Sequence, residues 1–579
     1  MAFNKYPSIK MSADDQCLVG WQLICDQIIA SLKDRNFHVV TMECYHGVDE
    51  KNIREAILRY CGHVQIVSAN EAYKSEEEII KLTFPDVTED RIFGRITELK
   101  IDDFLDQNKV SKIKTNILQS EELVFVIGAG ASRITDSFDT LSVYTDMARW
   151  EIQLRMRKKE VSNLGISNAS DPFETLYKRG YFLDWRICDD LKRELFESWD
   201  FWLDTNSVET PKMIDHSTLN KALDHTVSQP FSVVPFFDPG PWGGQWMRNK
   251  FDLDKDAPNF AWGFNCVPEE NSLLFDFNGI CFETPSINAV FFRPDELLGI
   301  SVRSQFGEEF PIRFDFLDTI EGGNLSLQVH PLTAYIQKEF GMSYTQDESY
   351  YMLEATDEAC VYLGLKTDVD GEAMISDLKR AAQNGTDFNA EAYTAAWPAK
   401  KHDHFLIPAG TVHCSGKGCM VLEISATPYI FTFKLWDWGR LGMDGKPRPI
   451  NIDRGSKVIQ WDRQADWAKE NLINKIEVVG KGNGWTEERT GLHELEFIET
   501  RRHWQTGTVI HKNESTVNVL MVIEGEQAVV ESPTGEFEPF VVNYAEAFII
   551  PAKIDSYSIT PYGASIGKQI ATIKAYVRN

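Results

Sequence analysis

Gln328 and His330 stand two residues apart in the run Gly323–Pro331. The run alternates, so Leu325, Leu327 and Val329 share one face of a strand and Ser326, Gln328 and His330 share the other. Pro331 cannot donate to a ladder and ends the strand. An amide and an imidazole side by side at a strand end can chelate a metal ion. Taken alone, the pair fits a solvated strand face with an incidental histidine equally well. Glu348 stands where the polar stretch Thr345–Tyr351 enters a second strand, and the turn Pro408-Ala-Gly410 returns His413 toward the same interior. Together these residues supply two imidazoles, a carboxylate and an amide oxygen, a mixed nitrogen and oxygen set suited to zinc or another divalent ion. Four such groups at strand ends of one β region outweigh the incidental reading.

The elements that must position them lie in the middle of the chain. Pro230–Trp246 is dense in Pro, Gly and aromatic residues and opens a β region. Short apolar strands then recur at Ser272–Phe277, Ala289–Arg293, Phe310–Leu317, Leu325–Val329, Ser349–Leu353, Cys360–Leu365, Asp403–Pro408 and Gly418–Ser425. This spacing predicts a sandwich or barrel. A polar, helix-favouring insert, residues 367–398, interrupts them. A third region, residues 456–579, holds an amphipathic stretch at Trp461–Leu472 and strands at Val517–Gly525 and Ala547–Pro551, the halves of another small barrel.

Residues 1–225 read as an α/β domain. Helices are predicted over Cys17–Leu32, Asp49–Tyr60 and Tyr144–Arg155, with a β-rich run at Phe37–Met42. The buried strand in Glu122–Ser132 runs into Gly128-Ala-Gly130, a turn whose backbone amides can cradle a phosphate. The turn lacks the third glycine of a dinucleotide fingerprint and the Gly-Lys-Ser/Thr ending of a phosphate loop. The region therefore reads as a nucleoside-kinase-like domain without its phosphate loop, with a structural or regulatory role as the plainer expectation.

Bulk properties narrow the function classes. Lys plus Arg number 59 against 87 Asp plus Glu, a net charge of -28 over 579 residues. Such a surface disfavours nucleic acid and anionic membranes as partners. An anionic substrate requires a local positive pocket. The ten cysteines are scattered without a Cys-x-x-Cys pair, as in a chain of reduced thiols. With no apolar leader and no membrane-length apolar run, a cytoplasmic protein is expected.

Four ordered motifs carry a family resemblance: Leu325–Pro331, Glu348-Ser-Tyr-Tyr351, Ile407–His413 and Thr432–Arg440. With Pro241-Trp-Gly-Gly244 and Phe310–Asp318 they resemble the type I mannose-6-phosphate isomerases over residues 230 to 455, and less strictly beyond. The resemblance implies a multidomain chain. An N-terminal α/β domain (1–225) precedes two cupin-type β-barrels: a metal-binding catalytic barrel (226–455) with its helical insert, and a C-terminal barrel (456–579). Ser556 takes a histidine's place in the second barrel, which is expected to be metal-free. The resemblance assigns one zinc ion to Gln328, His330, Glu348 and His413. It also implies aldose–ketose isomerisation of a sugar phosphate through an enediolate. Glu423 and Asp437 are the candidate bases, and Lys434 and Arg440 the candidate cations. Ser326 and Asp315 join Asp437 as the expected substrate contacts.

Three departures bear on the substrate. Asp315 and Gln346 replace lysines of the family pattern, and Lys434 replaces an arginine. Two cations are lost, and a bidentate fork becomes a point charge. A different or unphosphorylated sugar, or a sugar-binding regulatory protein with a degenerate site, are the alternatives. An active kinase fused to the isomerase is a weaker one.

Overall fold

The computed structural model describes residues 3–426, 431–491 and 493–578. Two compact units divide the chain: Ser8–His225 with Glu269–Phe292, and Met1–Pro7 with Thr226–Pro268 and Arg293–Asn579. Among the described residues, no helix is long and apolar enough to cross a membrane.

The first unit is built on a seven-stranded sheet. Its five parallel strands are Val39–Cys44, Val64–Ser68, Leu123–Gly128, Thr140–Asp146 and Phe201–Asp204, laid out in the order second, third, first, fourth, fifth. Lys212–Asp215 and Leu18–Val19 extend it antiparallel. Val40, Met42, Phe125, Ile127, Leu141 and Val143 are buried against Ile24, Ile28, Ile53 and Ile57 of the flanking helices Trp21–Arg35 and Glu50–Tyr60. Parallel strands covered by helices read as unbroken apolar runs, which is why two of them, within Phe37–Met42 and Glu122–Ser132, stood out in the sequence.

Two expected elements change type. The helix predicted over Tyr144–Arg155 begins only at Arg149, because Tyr144–Asp146 completes a central strand paired with Glu43 and Cys44. The strand expected at Ala289–Arg293 is a helix, Ile287–Phe292, whose Asn288 amide donates to Asp146 and Thr284, both at 2.8 Å. Short apolar runs carry no period that separates the two states. The hairpin Ser272–Phe277 and Ile280–Pro285 pairs with Ile9–Lys10, so this segment belongs to the α/β unit rather than to the β region.

The Gly-rich turn has the geometry of an anion cradle, with Gly128 and Gly130 at φ 127° and 82°. Its occupant is the chain's own Glu43: Gly130 N–H and Ser132 N–H donate to the two carboxylate oxygens at 2.6 and 2.9 Å. The phosphate-cradle expectation is corrected accordingly.

The second unit holds two pairs of antiparallel sheets. In the first pair, a six-stranded sheet contains Glu348–Ala355, Cys419–Ala426 and Ile312–Asp318, and a five-stranded sheet contains His413–Ser415, Leu327–Val329 and Phe433–Trp436. The helical insert is Gly371–Asn384, capped by the Asp370 carboxylate on Ala373 N–H at 3.0 Å and closed by Gly385 in the left-handed region. The second pair, six and four strands, buries Leu520, Val522, Phe548 and Ile550 of one sheet against Val530, Val542, Tyr557 and Ile559 of the other. The amphipathic stretch before it forms a helix over Ala465–Asn471.

Candidate metal centre

Strand register assembles the centre. Gln328 pairs with His413 on one side and with Lys434 on the other, so the three side chains form one row across the five-stranded sheet. Glu348 opens a strand of the facing sheet. His330 lies just beyond the end of Leu327–Val329, as the alternation of the sequence predicts. His413 Nε2 lies 2.9 Å from Glu348 Oε1, and His330 Nε2 lies 3.1 Å from Glu348 Oε2. The two imidazole centroids are 5.0 Å apart. Glu348 and His413 are fully buried, His330 nearly so.

The ring tautomers are fixed from outside. His413 Nδ1–H donates to Thr411 C=O at 2.8 Å, and His330 Nδ1–H to Phe431 C=O at 3.4 Å. Each ring therefore turns an Nε2 lone pair toward the carboxylate. Lone pairs facing a carboxylate repel. Consistently, neither His330 Nε2 nor Glu348 Oε1 has a hydrogen-bond partner, despite the short approaches. A cation at the centre resolves that conflict, so the residues present fit a metal ion. Among the described residues, His330, Glu348 and His413 have ligand atoms within 4.8 Å of one another and could hold one. Gln328 touches His413 Nε2 at 3.3 Å and stands at the open edge of the trio. Burial alone would raise the Glu348 carboxyl, and only positive charge at the centre, carried by protonated imidazoles or by a cation in their place, holds it well below the usual carboxylate range.

More carboxylates surround this group. Glu423 and Asp315 are cross-strand partners in the six-stranded sheet. Burial first, and the charge of Glu348 second, push Glu423 well above the carboxylate range. Burial likewise brings Asp315 to about 7, against the pull of Arg313, which is bonded to it. The Gln346 amide donates to Glu348 at 2.9 Å and to Glu423 at 3.5 Å, so the residue standing in place of a lysine ties the two carboxylates together.

Ser326 and Asp437 belong to a second cluster on the same sheet. Ser326 Oγ–H donates to Asp437 Oδ1 at 2.7 Å. Arg440 donates to the same oxygen at 2.8 Å. Arg448 donates to Asp437 Oδ2 at 3.1 Å and to Ser326 at 3.2 Å. Burial would raise Asp437, but Arg448 and Arg440 hold it low. A carboxylate doubly paired with arginines is spoken for as an acceptor, and the cluster is left with one excess positive charge. Arg448 was not foreseen: it stands between Pro447 and Pro449 outside every motif, and nothing in its neighbours marks it. Arg313 lies inside the motif Phe310–Asp318 but was not singled out, since its ion pair with Asp315 shows only in the structure.

Comparison with known proteins bears separately on the two ends of the chain. Residues 20–228 match a family model described as "Domain of unknown function (DUF8485)". The mannose-6-phosphate isomerase of Streptococcus mutans serotype c is 27% identical over 227 residues, 39% of this chain and 66% of that protein. The mannose-6-phosphate isomerase ManA of Bacillus subtilis is 21% identical over 337 residues, 58% of this chain and 94% of that protein. A crystal structure of the Bacillus subtilis mannose 6-phosphate isomerase superimposes on 60% of this chain and 99% of its own, with 17% identity and a TM-score of 0.49. The resemblance carried by the motifs is thus shared with curated mannose-6-phosphate isomerases, while residues 20–228 fall under a family description of their own.

Proposed function

We propose that this chain is a metal-dependent aldose–ketose isomerase that interconverts mannose 6-phosphate and fructose 6-phosphate on cupin-type barrels. The observation that carries the reading is the convergence of two outwardly fixed imidazoles on one buried carboxylate. The mannose-6-phosphate isomerase relatives support the substrate. Two imidazoles and a carboxylate are the donor set of catalytic zinc sites, and zinc is the ion we assign, held by His330, Glu348, His413 and the Gln328 amide oxygen. A divalent ion there supplies an electrophile for the oxyanion that develops when a proton leaves the carbon beside the carbonyl.

The chain's own groups do the rest. Thr411 and Phe431 carbonyls keep both rings in the liganding tautomer. Glu423, tied through Gln346 to Glu348, is the group we assign to hold and return the proton, since its carboxyl lies beside the centre. Arg440 and Arg448 present positive charge for the phosphate, and Lys434, next to Gln328 in the row, adds to it. For residues 1–225, a degenerate nucleoside-kinase-like fold is our reading, supported by the parallel sheet and the turn at Gly128–Gly130.

Purified protein loaded with zinc is expected to interconvert the two hexose phosphates, to lose turnover on chelation and to regain it when zinc is restored. Metal-loaded protein inert toward phosphorylated and free aldoses alike refutes the reading. A second reading follows from Asp315 and Glu423, whose carboxylates crowd the centre: turnover of free mannose without turnover of mannose 6-phosphate would keep the chemistry and replace the substrate.

A further inference from the structure

The α/β unit contains a cavity of about 390 Å³ at the carboxyl ends of its parallel strands. That edge of an open parallel sheet is where ligands bind, and the volume lies in the small-molecule range. Its floor comes from the loop after the strand Val39–Cys44 and from Ala129 in the turn after Leu123–Gly128; its wall comes from residues 160–167. The wall is an irregular segment pinned by two devices. His46 Nε2–H donates to Ser162 C=O at 3.0 Å, with its Nδ1 accepting from Trp185 at 3.1 Å. Gly165, at φ 69°, packs so closely on Ile79 and Tyr73 that no side chain fits there.

The groups that reach the cavity are mixed donors and acceptors. Glu50 is the first residue of the helix Glu50–Tyr60, and its carboxylate lies against Gly128, where an added Cβ would meet its oxygens at 3.0 and 3.2 Å. Asn70 extends its amide to that carboxylate at 3.5 Å. Lys74 also lines the cavity, its ammonium bonded to Asp103 C=O at 2.6 Å, and Tyr73 is positioned by its hydroxyl's bond to Ala129 C=O at 3.0 Å. Glu160 adds an exposed carboxylate.

Two facts decide what fits. The amides that would cradle a phosphate, Gly130 N–H and Ser132 N–H, are already bonded to Glu43. The helix N-terminus that would face an anion carries Asp49 as its cap and Glu50 in its first turn. A phosphate entering here would meet carboxylates where it needs donors. A polyamine would meet the like charge of the Lys74 ammonium in the lining. Hydroxyl groups, which both donate and accept, match a lining of carboxylate, amide, ammonium and backbone carbonyl. We propose that this cavity is a binding site for an uncharged polyhydroxylated small molecule, a free sugar or an alditol, and not for a nucleotide phosphate. The proposal does not depend on the isomerase reading, because it concerns other residues and a local readout.

Hydrogen–deuterium exchange of the full chain tests it. D-mannose (the sugar probe) or D-mannitol (the alditol probe) at millimolar concentration is expected to slow exchange in residues 45–50 and 160–167. Inorganic phosphate, ATP and spermidine are expected to leave those segments unchanged. Protection by mannose alone identifies a sugar, and by mannitol alone an alditol. Asn70→Leu, at an exposed position, is expected to weaken the protecting ligand at least tenfold with the unliganded exchange pattern kept. Protection by phosphate, ATP or spermidine, or by neither neutral probe in the wild-type chain, overturns the proposal.

Discussion

Two buried glutamates at strand ends reach opposite outcomes. Glu43, on a central strand of the parallel sheet, aims its carboxylate at the backbone amides of Gly130 and Ser132. Glu348, on the six-stranded sheet, aims its carboxylate at two imidazole lone pairs. Amide hydrogens satisfy an anion, and the first site closes on itself. Lone pairs do not, and the second site is left needing a cation. Burial dominates at Glu43 and lifts its carboxyl to about 7 despite the donors. At Glu348 only positive charge, from protonated imidazoles or a cation in their place, can outweigh burial and hold the carboxyl low. A buried acid is therefore no signature of a metal site by itself: what its partners can donate decides.

Substitution should separate the two sites sharply. Glu348→Gln removes the anionic ligand and is expected to abolish metal retention, with kcat falling on the order of a thousandfold or more. Glu43→Gln is expected to leave metal content and kcat within about twofold. Metal analysis and steady-state kinetics on both variants check this, and equal losses from the two would erase the contrast.

A pH series tests the closed site. Glu43 and Glu50 both have folded values raised to about 7, chiefly by burial. Between the ordinary carboxylate range and about 7, the folded state holds more protons than the unfolded one, so stability falls as pH rises through that window. The α/β unit is expected to lose up to about 3 kcal/mol per group by pH 8. Glu43→Gln should flatten the slope of chemical denaturation against pH. An unchanged slope would show that the Glu43 carboxyl is not held protonated.

The smallest effect concerns the arginine pair rather than either glutamate. Arg448→Met is expected to raise KM for mannose 6-phosphate about tenfold, roughly 1.4 kcal/mol, with kcat and bound metal little changed. A loss confined to kcat would move Arg448 out of phosphate recognition.

Much of the metal centre was legible because its signals are local. Alternation through Leu325–His330 put Ser326, Gln328 and His330 on one face, and the Pro408–Gly410 turn announced His413. The helical insert was legible because its composition is local, whereas its caps, Asp370 and Gly385, were identified only in the structure. The type of Ala289–Arg293 and of Tyr144–Asp146 was not, since a short apolar run suits a helix or a covered strand equally and its neighbours choose.

By itself, the chain's order of residues determined which side chains share a strand face, where turns fall, and which groups are candidate metal ligands, of which His330, Glu348 and His413 converge. Only the tertiary structure decided that the Gly128–Gly130 cradle is filled by Glu43, that Gln346 bridges Glu348 and Glu423, and that Arg448 reaches Asp437 beside Arg440. Those partners stand 2 to 89 residues apart in the chain. Their meeting depends on sheet register and loop path, which no local periodicity encodes.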